Sequence, residues 1–170
     1  MPTLKDVIFC DLERELAVTR KVLAAIPSDR LDWKPHAKSM SLGQLAIHVA
    51  TLPEWLTQTL AQDALDFASA PRPPKAVASA AELLKLFDDR VAALRQAVAG
   101  FDPAAWDAPW ILRNGAQVIT TQPRSKVYRV WDLNHMIHHR AQLCVYLRLL
   151  EVRVPVVYFN TADDQDIVFE

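Results

Sequence analysis

Two histidines four residues apart, His135 and His139, are the residues whose spacing most directly indicates chemistry. At about 100° per residue in an α-helix they project only about 40° apart, so both imidazoles can reach one point. A helix offers two metal ligands in this way. We therefore predict a metal site on the helix that carries them, although paired histidines also occur on solvated faces.

A third ligand has to come from another helix, and His48 is the candidate. His48 shares a helical face with Leu52 and Trp55, where a solvated histidine would not be placed. A single histidine on an apolar face is more often a hydrogen-bonded core residue, so this prediction depends on the other pair. Three imidazoles leave part of the coordination sphere to water or substrate, as in catalytic rather than closed structural sites.

The remaining histidines leave alternatives open. His138 lies three residues from His135 and about 60° away on the other side of the helix, so geometry alone also allows it to be a ligand. We interpret it instead as a supporting or surface residue. His36 lies beside Pro35 in a loop, and we expect it to be solvent-exposed unless that loop folds over the site.

Polar and aromatic residues share the stripe of the two helix-four histidines, where a plain bundle helix would carry Leu or Val. The residues within about 60° of His135 are Gln142, Tyr146, Tyr128, Trp131 and Asp132. We predict that Gln142, Tyr146, Tyr128 and Trp131, together with His138 and Trp55, support the ligands or line a substrate pocket. Arg140 is a further candidate for orienting a substrate.

Four segments carry apolar residues at helical spacing: about residues 3–26, from Ser41 onward, from Ser79 to Gly100, and from Ser125 to about Leu150. Capping boxes that pair Ser41 with Gln44 and Ser79 with Glu82 start the second and third helices. Pro53 is expected to weaken or kink the second helix about one turn after His48.

The connections complete the predicted architecture. Residues 61–78 contain Pro71, Pro73 and Pro74 and predict an extended crossover between helices two and three. Asn114-Gly115 between two β-prone runs predicts a small two-stranded β-hairpin before helix four. The fold class is therefore all-α, a four-helix bundle in a single domain that spans residues 1–170.

Composition excludes several classes of function. The formal net charge is -1 and basic residues do not cluster, so we expect no nucleic-acid partner. No apolar run has the length of a membrane span or a signal peptide, so we expect no membrane partner. Cys10 and Cys144 lie far apart and suit a reducing compartment, and we predict a cytoplasmic protein.

Three segments resemble the DinB-like superfamily, the damage-inducible and YfiT-like helical bundle proteins. They are Ser41-Leu42-Gly43-Gln44-Leu45-Ala46-Ile47-His48-Val49-Ala50, Pro123-Arg124-Ser125, and Asn134-His135-Met136-Ile137-His138-His139-Arg140-Ala141-Gln142-Leu143. The resemblance implies an antiparallel bundle with a long crossover, a divalent metal such as nickel or zinc, and frequent homodimers. It maps the ligand triad onto His48, His135 and His139. Many relatives have Gly at the position of Ala141, which leaves the ligands unchanged.

The resemblance also suggests activities, because characterised relatives include thiol S-transferases that use small thiols such as bacillithiol and mycothiol-dependent isomerases. Our leading hypothesis is a thiol S-transferase whose partner is a low-molecular-weight thiol. A metal-dependent hydrolase is the second hypothesis, and it lacks an obvious carboxylate base near the ligands. The third is a non-catalytic, stress-associated metal-binding dimer.

Overall fold

The computed structural model describes residues 1–164, so the last six residues of the predicted 1–170 domain lie outside the described residues. The helices are α1 (Leu4–Ile8), α2 (Leu12–Ala24), α3 (Leu42–Ala61), α4 (Ala80–Gly100), α5 (Arg124–Lys126) and α6 (Asn134–Leu149), with a π-helical segment (Val127–Leu133) between the last two. The strands are β1 (Ala64–Asp66), β2 (Pro109–Asn114) and β3 (Gln117–Pro123). Short 3-10 turns cover Ser28–Arg30 and Pro103–Ala105.

Helices α2, α3, α4 and α6 bury their apolar faces in one core, which confirms the predicted four-helix bundle. Helix α3 packs against both α4 and α6, so its buried side chains face the helix of the histidine pair. The predicted capping box starts α3, because the Gln44 backbone N–H donates to the Ser41 hydroxyl at 3.2 Å and the Ser41 N–H donates to the Gln44 side chain at 2.9 Å. Helix α3 continues through Pro53. No helix among residues 1–164 is long and apolar enough to cross a membrane.

The prediction of one continuous first helix over residues 3–26 is wrong. The structure ends α1 at Ile8 and starts α2 at Leu12, with Phe9 at the break. The Phe9 ring packs edge-on against Phe101, Trp106 and Tyr128 at centroid distances of 6.0, 6.1 and 5.5 Å. The break thus lets an aromatic side chain enter a cluster at the end of the bundle, and burial of that ring competes with continued helix.

The crossover contains a strand that periodicity did not predict. Strand β1 pairs in parallel with β2, with Leu65 opposite Leu112. The predicted hairpin forms as well, with β2 antiparallel to β3 and a turn in which Gly115 has φ of 58°, a conformation that suits glycine. The predicted two-stranded ribbon is therefore a three-stranded sheet of order β1-β2-β3. It lies beside the π-helical segment, because Trp110 and Leu112 of β2 cluster with Val127.

The start of the last helix also differs from the prediction. Ser125 does not cap it, because α5 already begins at Arg124 and the Ser125 hydroxyl donates to the Asp107 carboxylate at 2.6 Å. The next turns are π-helical, and the Asn134 N–H donates to the carbonyl of Arg129, five residues earlier. Each π turn holds more residues than an α turn, so side chains before Asn134 are rotated relative to those of α6. A helical projection that assumes 100° per residue across this segment therefore places the earlier side chains on the wrong face.

Candidate metal centre

The three predicted ligands lie together between α3 and α6. The Nε2 atoms of His48 and His135 are 3.2 Å apart. One ring nitrogen of each of His48, His135 and His139 lies within 4.8 Å of the others. The ring centroids of His48 and His139 are 4.5 Å apart, and those of His135 and His139 are 4.7 Å apart. The structure therefore brings together a histidine from one helix and an i, i+4 pair from its neighbour.

This arrangement fits a transition-metal ion. Imidazole nitrogens bind zinc at about 2.0–2.1 Å, so two ligands at a tetrahedral ion lie about 3.3 Å apart. The 3.2 Å separation between the His48 and His135 nitrogens agrees with that value. Three imidazoles form a donor set that suits zinc, nickel, copper or iron and does not suit magnesium or calcium, which prefer oxygen.

Hydrogen bonds select the ring nitrogen that each α6 histidine presents. His135 Nδ1 lies 3.1 Å from the backbone carbonyl of Trp131, and His139 Nδ1 lies 2.7 Å from the side-chain oxygen of Gln142. Both oxygens only accept, so each Nδ1 carries the proton and donates. In the neutral rings, each Nε2 therefore keeps a free lone pair for a metal.

The electrostatics of the cluster favour neutral imidazoles. Burial, together with the smaller effect of positive charge on His139 and His135, lowers the pKa of His48 to about 4. Burial is also the main cause that lowers the pKa values of His135 and His139. Imidazole binds a metal in its neutral form, so at neutral pH no proton has to leave these nitrogens before an ion enters.

The exposed His138 is connected to the cluster through Gln142. The Gln142 amide donates to His138 Nε2 at 3.1 Å while its oxygen accepts from His139 Nδ1. The amide orientation is therefore set from both ends. His138 lies outside the group of nitrogens that can share an ion among the described residues, and its position agrees with a supporting residue rather than a ligand. His36 is exposed in its loop, as expected.

The structure separates the predicted pocket residues into two groups. The Trp55 ring is perpendicular to the His135 ring, and the two ring centroids are 6.5 Å apart. The backbone carbonyl of Trp131 is the hydrogen-bond partner of His135. Tyr146 instead packs edge-on against Trp33 at 5.5 Å, and its hydroxyl donates to the Met40 carbonyl at 3.3 Å. Tyr146 therefore holds the loop before α3 and does not line a cavity beside the histidines among the described residues.

The placement of Tyr128 on the substrate pocket is wrong. Its ring is 1% exposed, packs against Phe9 and Trp106, and lines neither of the cavities beside the histidines. Burial raises the pKa of its hydroxyl. The projection assumed uninterrupted α-helix between Tyr128 and His135, and the π-helical segment rotates the earlier residue into the core.

Asp132 is turned into the core by the same segment. It is fully buried, and its two carboxylate oxygens have no hydrogen-bond partner among residues 1–164. Burial raises the pKa of its carboxyl to about 8. The nearby Thr59 hydroxyl lowers this pKa to a smaller extent, although it makes no hydrogen bond of normal geometry with the carboxylate. An ionised carboxylate in this position is costly, so folding favours the protonated form.

Asp132→Asn should remove a pH dependence of stability. With a folded pKa near 8 and an unfolded value of 3.8, the folded state binds more protons between these values, so wild-type stability falls as pH rises. The Asn variant should gain about 2 kcal/mol over wild type between pH 6 and pH 8. Urea unfolding of both proteins in chelator measures this difference, in which shared histidine effects cancel. A difference that stays constant with pH would contradict the prediction.

Arg140 does not reach a substrate, which corrects the prediction that it could orient one. It is 1% exposed and forms an ion pair with Glu15 of α2 at 2.7 Å. It also donates to the Thr19 hydroxyl at 3.1 Å and to the Tyr158 hydroxyl at 2.7 Å. Tyr158 in turn donates to the Glu15 carboxylate at 2.8 Å. This network, buried except at the half-exposed Tyr158, joins α6, α2 and the segment after α6.

Two cavities open beside the histidines. The polar cavity, of about 290 Å³, is lined by residues that include His48, Thr51, Glu54, Trp55, Gln58 and Arg72. The apolar cavity, of about 700 Å³, is lined by residues that include Trp55, Phe67, Ile119, Val130, Trp131 and His135. Trp55 and Phe67 line both. A further cavity of about 620 Å³ lies between α2 and residues 152–158, and none of the described residues that line it is a histidine.

A helical bundle with a three-histidine cluster beside open cavities defines the class of protein. The model of the DinB family matches residues 1–166, and the chain belongs to the DinB family. Family membership and the three-histidine cluster together support a metal-binding protein of the DinB type.

Solved structures share this fold. A DinB-like protein from Bacillus cereus superimposes with a TM-score of 0.70 and 19% identity, over 89% of this chain and 95% of that one. A DinB-like protein from Bacillus subtilis gives a TM-score of 0.66 and 17% identity, over 94% and 98% of the two chains. A search of curated proteins gives no match. The low identities mean that the structural likeness establishes the fold.

Proposed function

We propose that His48, His135 and His139 hold one divalent transition metal, nickel or zinc, and that the protein is a small-molecule enzyme of the thiol S-transferase type. The observation that carries this proposal is that open cavities adjoin the cluster, with His48 lining one and His135 the other. Closed structural sites use four protein ligands, whereas three ligands and an accessible position are typical of catalytic sites. Three candidate ligands gather here among residues 1–164.

The chemistry divides between the ion and the chain. A divalent metal in this position supplies a Lewis acid that lowers the pKa of a thiol and stabilises its thiolate. The chain orients the ligand nitrogens through the Trp131 carbonyl and Gln142. In the polar cavity, the Gln58 side-chain amide can donate to the polar part of a small thiol, and the Thr51 hydroxyl oxygen, whose proton is given to the Ile47 carbonyl, can accept from it.

A metal-dependent hydrolase is less well supported. That reaction needs a general base beside the bound water, and Glu54 is the carboxylate that lines the polar cavity. Its carboxylate lies 3.1 Å from Arg90 in an ion pair, which directs it toward the guanidinium. A non-catalytic metal-binding homodimer would not require cavities at the histidines. Homodimer formation remains a prediction from the resemblance.

Addition of 2-mercaptoethanol to cobalt-loaded protein should produce a sulfur-to-cobalt charge-transfer band in the near ultraviolet. The band should saturate at one thiol per chain, because three histidines leave a position for an outside ligand. Ethylene glycol, which replaces the thiol by a hydroxyl, is the matched control and should give no such band.

Turnover is then measured with the same thiol and a set of electrophiles. A cobalt spectrum that does not respond to thiol would favour the non-catalytic role and contradict the proposal. A cobalt spectrum that changes with pH near neutrality but does not change with thiol, together with ester hydrolysis, would favour the hydrolase.

A further inference from the structure

We propose that the apolar cavity is the binding site for the second substrate, a flat, uncharged aromatic electrophile, while the thiol occupies the polar cavity. This inference rests on the proposed function, since it assigns the two substrates of a thiol transfer to two separate places. The composition of the cavity suits an uncharged aromatic ligand. Among its described lining residues there is no Asp, Glu, Lys or Arg, and three aromatic side chains, Trp55, Phe67 and Trp131, provide walls.

Large apolar side chains are exposed together at this cavity. Phe67 is 41% exposed, Ile119 48% and Val130 46%, although they come from three different segments of the chain. All three line the apolar cavity. Contiguous exposed apolar surface is uncommon on a soluble protein and marks binding sites. The volume of about 700 Å³ also lies in the range of small-molecule pockets.

A β-bulge in β3 directs Ile119 into the cavity. Leu112 of β2 pairs with Thr120 and Arg113 pairs with Val118, so Ile119 is the extra residue of β3. In a regular strand, neighbouring side chains point to opposite faces. Here the neighbours Ile119 and Thr120 both line the cavity. A bulge re-aims a side chain in this way, and such bulges are frequent beside active sites.

The two cavities are arranged for a reaction between their occupants. The Trp55 and Phe67 rings lie 5.6 Å apart and belong to the lining of both cavities, so they form the shared wall. His48 lies on the polar side and His135 on the apolar side. A thiol sulfur held at the cluster can therefore meet an electrophilic carbon at the edge of the apolar cavity.

The transfer balances without a further reactant. The thiolate sulfur attacks the ring carbon that bears the leaving group, and a carbon–sulfur bond forms. The bond between that carbon and a halogen breaks, and the halide leaves with the electron pair. The thiol proton passes to solvent, so the products are a thioether, a halide and one proton.

The test uses two neighbouring substitutions in the metal-loaded protein. Ile119→Asp places a charge in the apolar cavity, and Val118→Asp places the same charge on the adjacent residue of β3, which is 58% exposed and does not line the cavity. Both positions are exposed, so neither variant should lose its fold. Binding is measured by quenching of tryptophan fluorescence with 2,4-dinitrotoluene, an unreactive probe that can contact Trp55 and Trp131.

The dissociation constant of dinitrotoluene should rise about tenfold in Ile119→Asp and stay unchanged in Val118→Asp. Equal binding by all three proteins, or equal weakening in both variants, would overturn the inference. So would a change from dimer to monomer in Ile119→Asp alone, since a second copy would then cover the cavity. Oligomeric state is therefore measured on the same samples.

Turnover separates this inference from the proposed function. With 2-mercaptoethanol and 1-chloro-2,4-dinitrobenzene, Ile119→Asp should raise the KM for the electrophile about tenfold, while Val118→Asp keeps the wild-type KM for this electrophile and the wild-type rate with iodoacetamide. No turnover of either electrophile, with the expected quenching pattern, would reject the thiol transferase and retain the aromatic site. Turnover with the same KM in both variants would retain the transferase and reject the site.

Discussion

His135→Ala should reduce the metal content of the purified protein from about one ion per chain to near zero after dialysis against a weak chelator. The variant removes a nitrogen that lies 3.2 Å from its partner on His48 and leaves two ligands. Loss of a residue that only orients a ligand typically costs 10–100-fold in metal affinity. Loss of the ligand itself should therefore cost more than about 100-fold, and His48→Ala should have the same effect although it lies on another helix.

Two other histidines serve as controls in this experiment. His36→Ala removes an exposed imidazole that lies outside the three-histidine group and should retain the full metal content. His138→Ala tests whether the third histidine of the α6 motif is a ligand. Because its Nε2 accepts from Gln142, we expect stoichiometric metal in this variant. Metal loss in His138→Ala with retention in His48→Ala would show that the site lies on α6 alone and would contradict the proposed triad.

Much of the helical framework could be predicted because its determinants are local. Apolar residues at helical spacing placed α3 and α4, and the Ser41 capping box placed the start of α3 at the residue where the structure has it. Asn114-Gly115 likewise placed the hairpin turn. Each of these signals lies within a few residues of the feature that it predicts.

Strand β1, which was not predicted, shows that local sequence signals do not reveal pairing between distant segments. Strand β1 has three residues and follows α3 closely, and its partner β2 is more than forty residues later in the chain. Parallel pairing requires a long crossover and leaves no turn residues to identify it. The same limitation hid Phe67, which follows β1 directly and lines both cavities beside the histidines.

The candidate site was predictable where α-helical geometry holds and not where it fails. The spacing of His135 and His139 lies within regular α6, and the structure brings both to His48. Tyr128 lies on the other side of the π-helical segment, and its projection was wrong. No residue in Val127–Leu133 is a Gly or Pro that would signal an irregular turn. Packing of Tyr128 and Asp132 in the core accompanies the π geometry, and packing is not visible in local sequence.

Arg140→Met should destabilise the protein by about 3–5 kcal/mol, because it leaves Glu15 buried without its partner. The Arg140 and Glu15 side chains are 2% and 5% exposed and lie 2.7 Å apart. A matched pair is available on the surface. Glu13, which like Glu15 lies on α2, pairs with Arg95 at 2.7 Å. The Arg95 and Glu13 side chains are 58% and 63% exposed. Arg95→Met should therefore cost no more than about 1 kcal/mol.

The comparison sets a buried network against an exposed ion pair, since both join an arginine to a glutamate of α2 at the same distance and Arg140 also donates to Thr19 and Tyr158. Urea unfolding in chelator gives the free energies without a contribution from bound metal. The double variant Glu15→Leu with Arg140→Met should recover most of the loss, because it removes the unpaired charge along with its partner. Equal destabilisation by Arg140→Met and Arg95→Met would mean that water reaches Glu15, and the network would then not hold α6 against α2. A large loss of unfolding free energy in Arg140→Met alone would show that Arg140, although adjacent to His139 in sequence, stabilises the helix packing that positions this ligand.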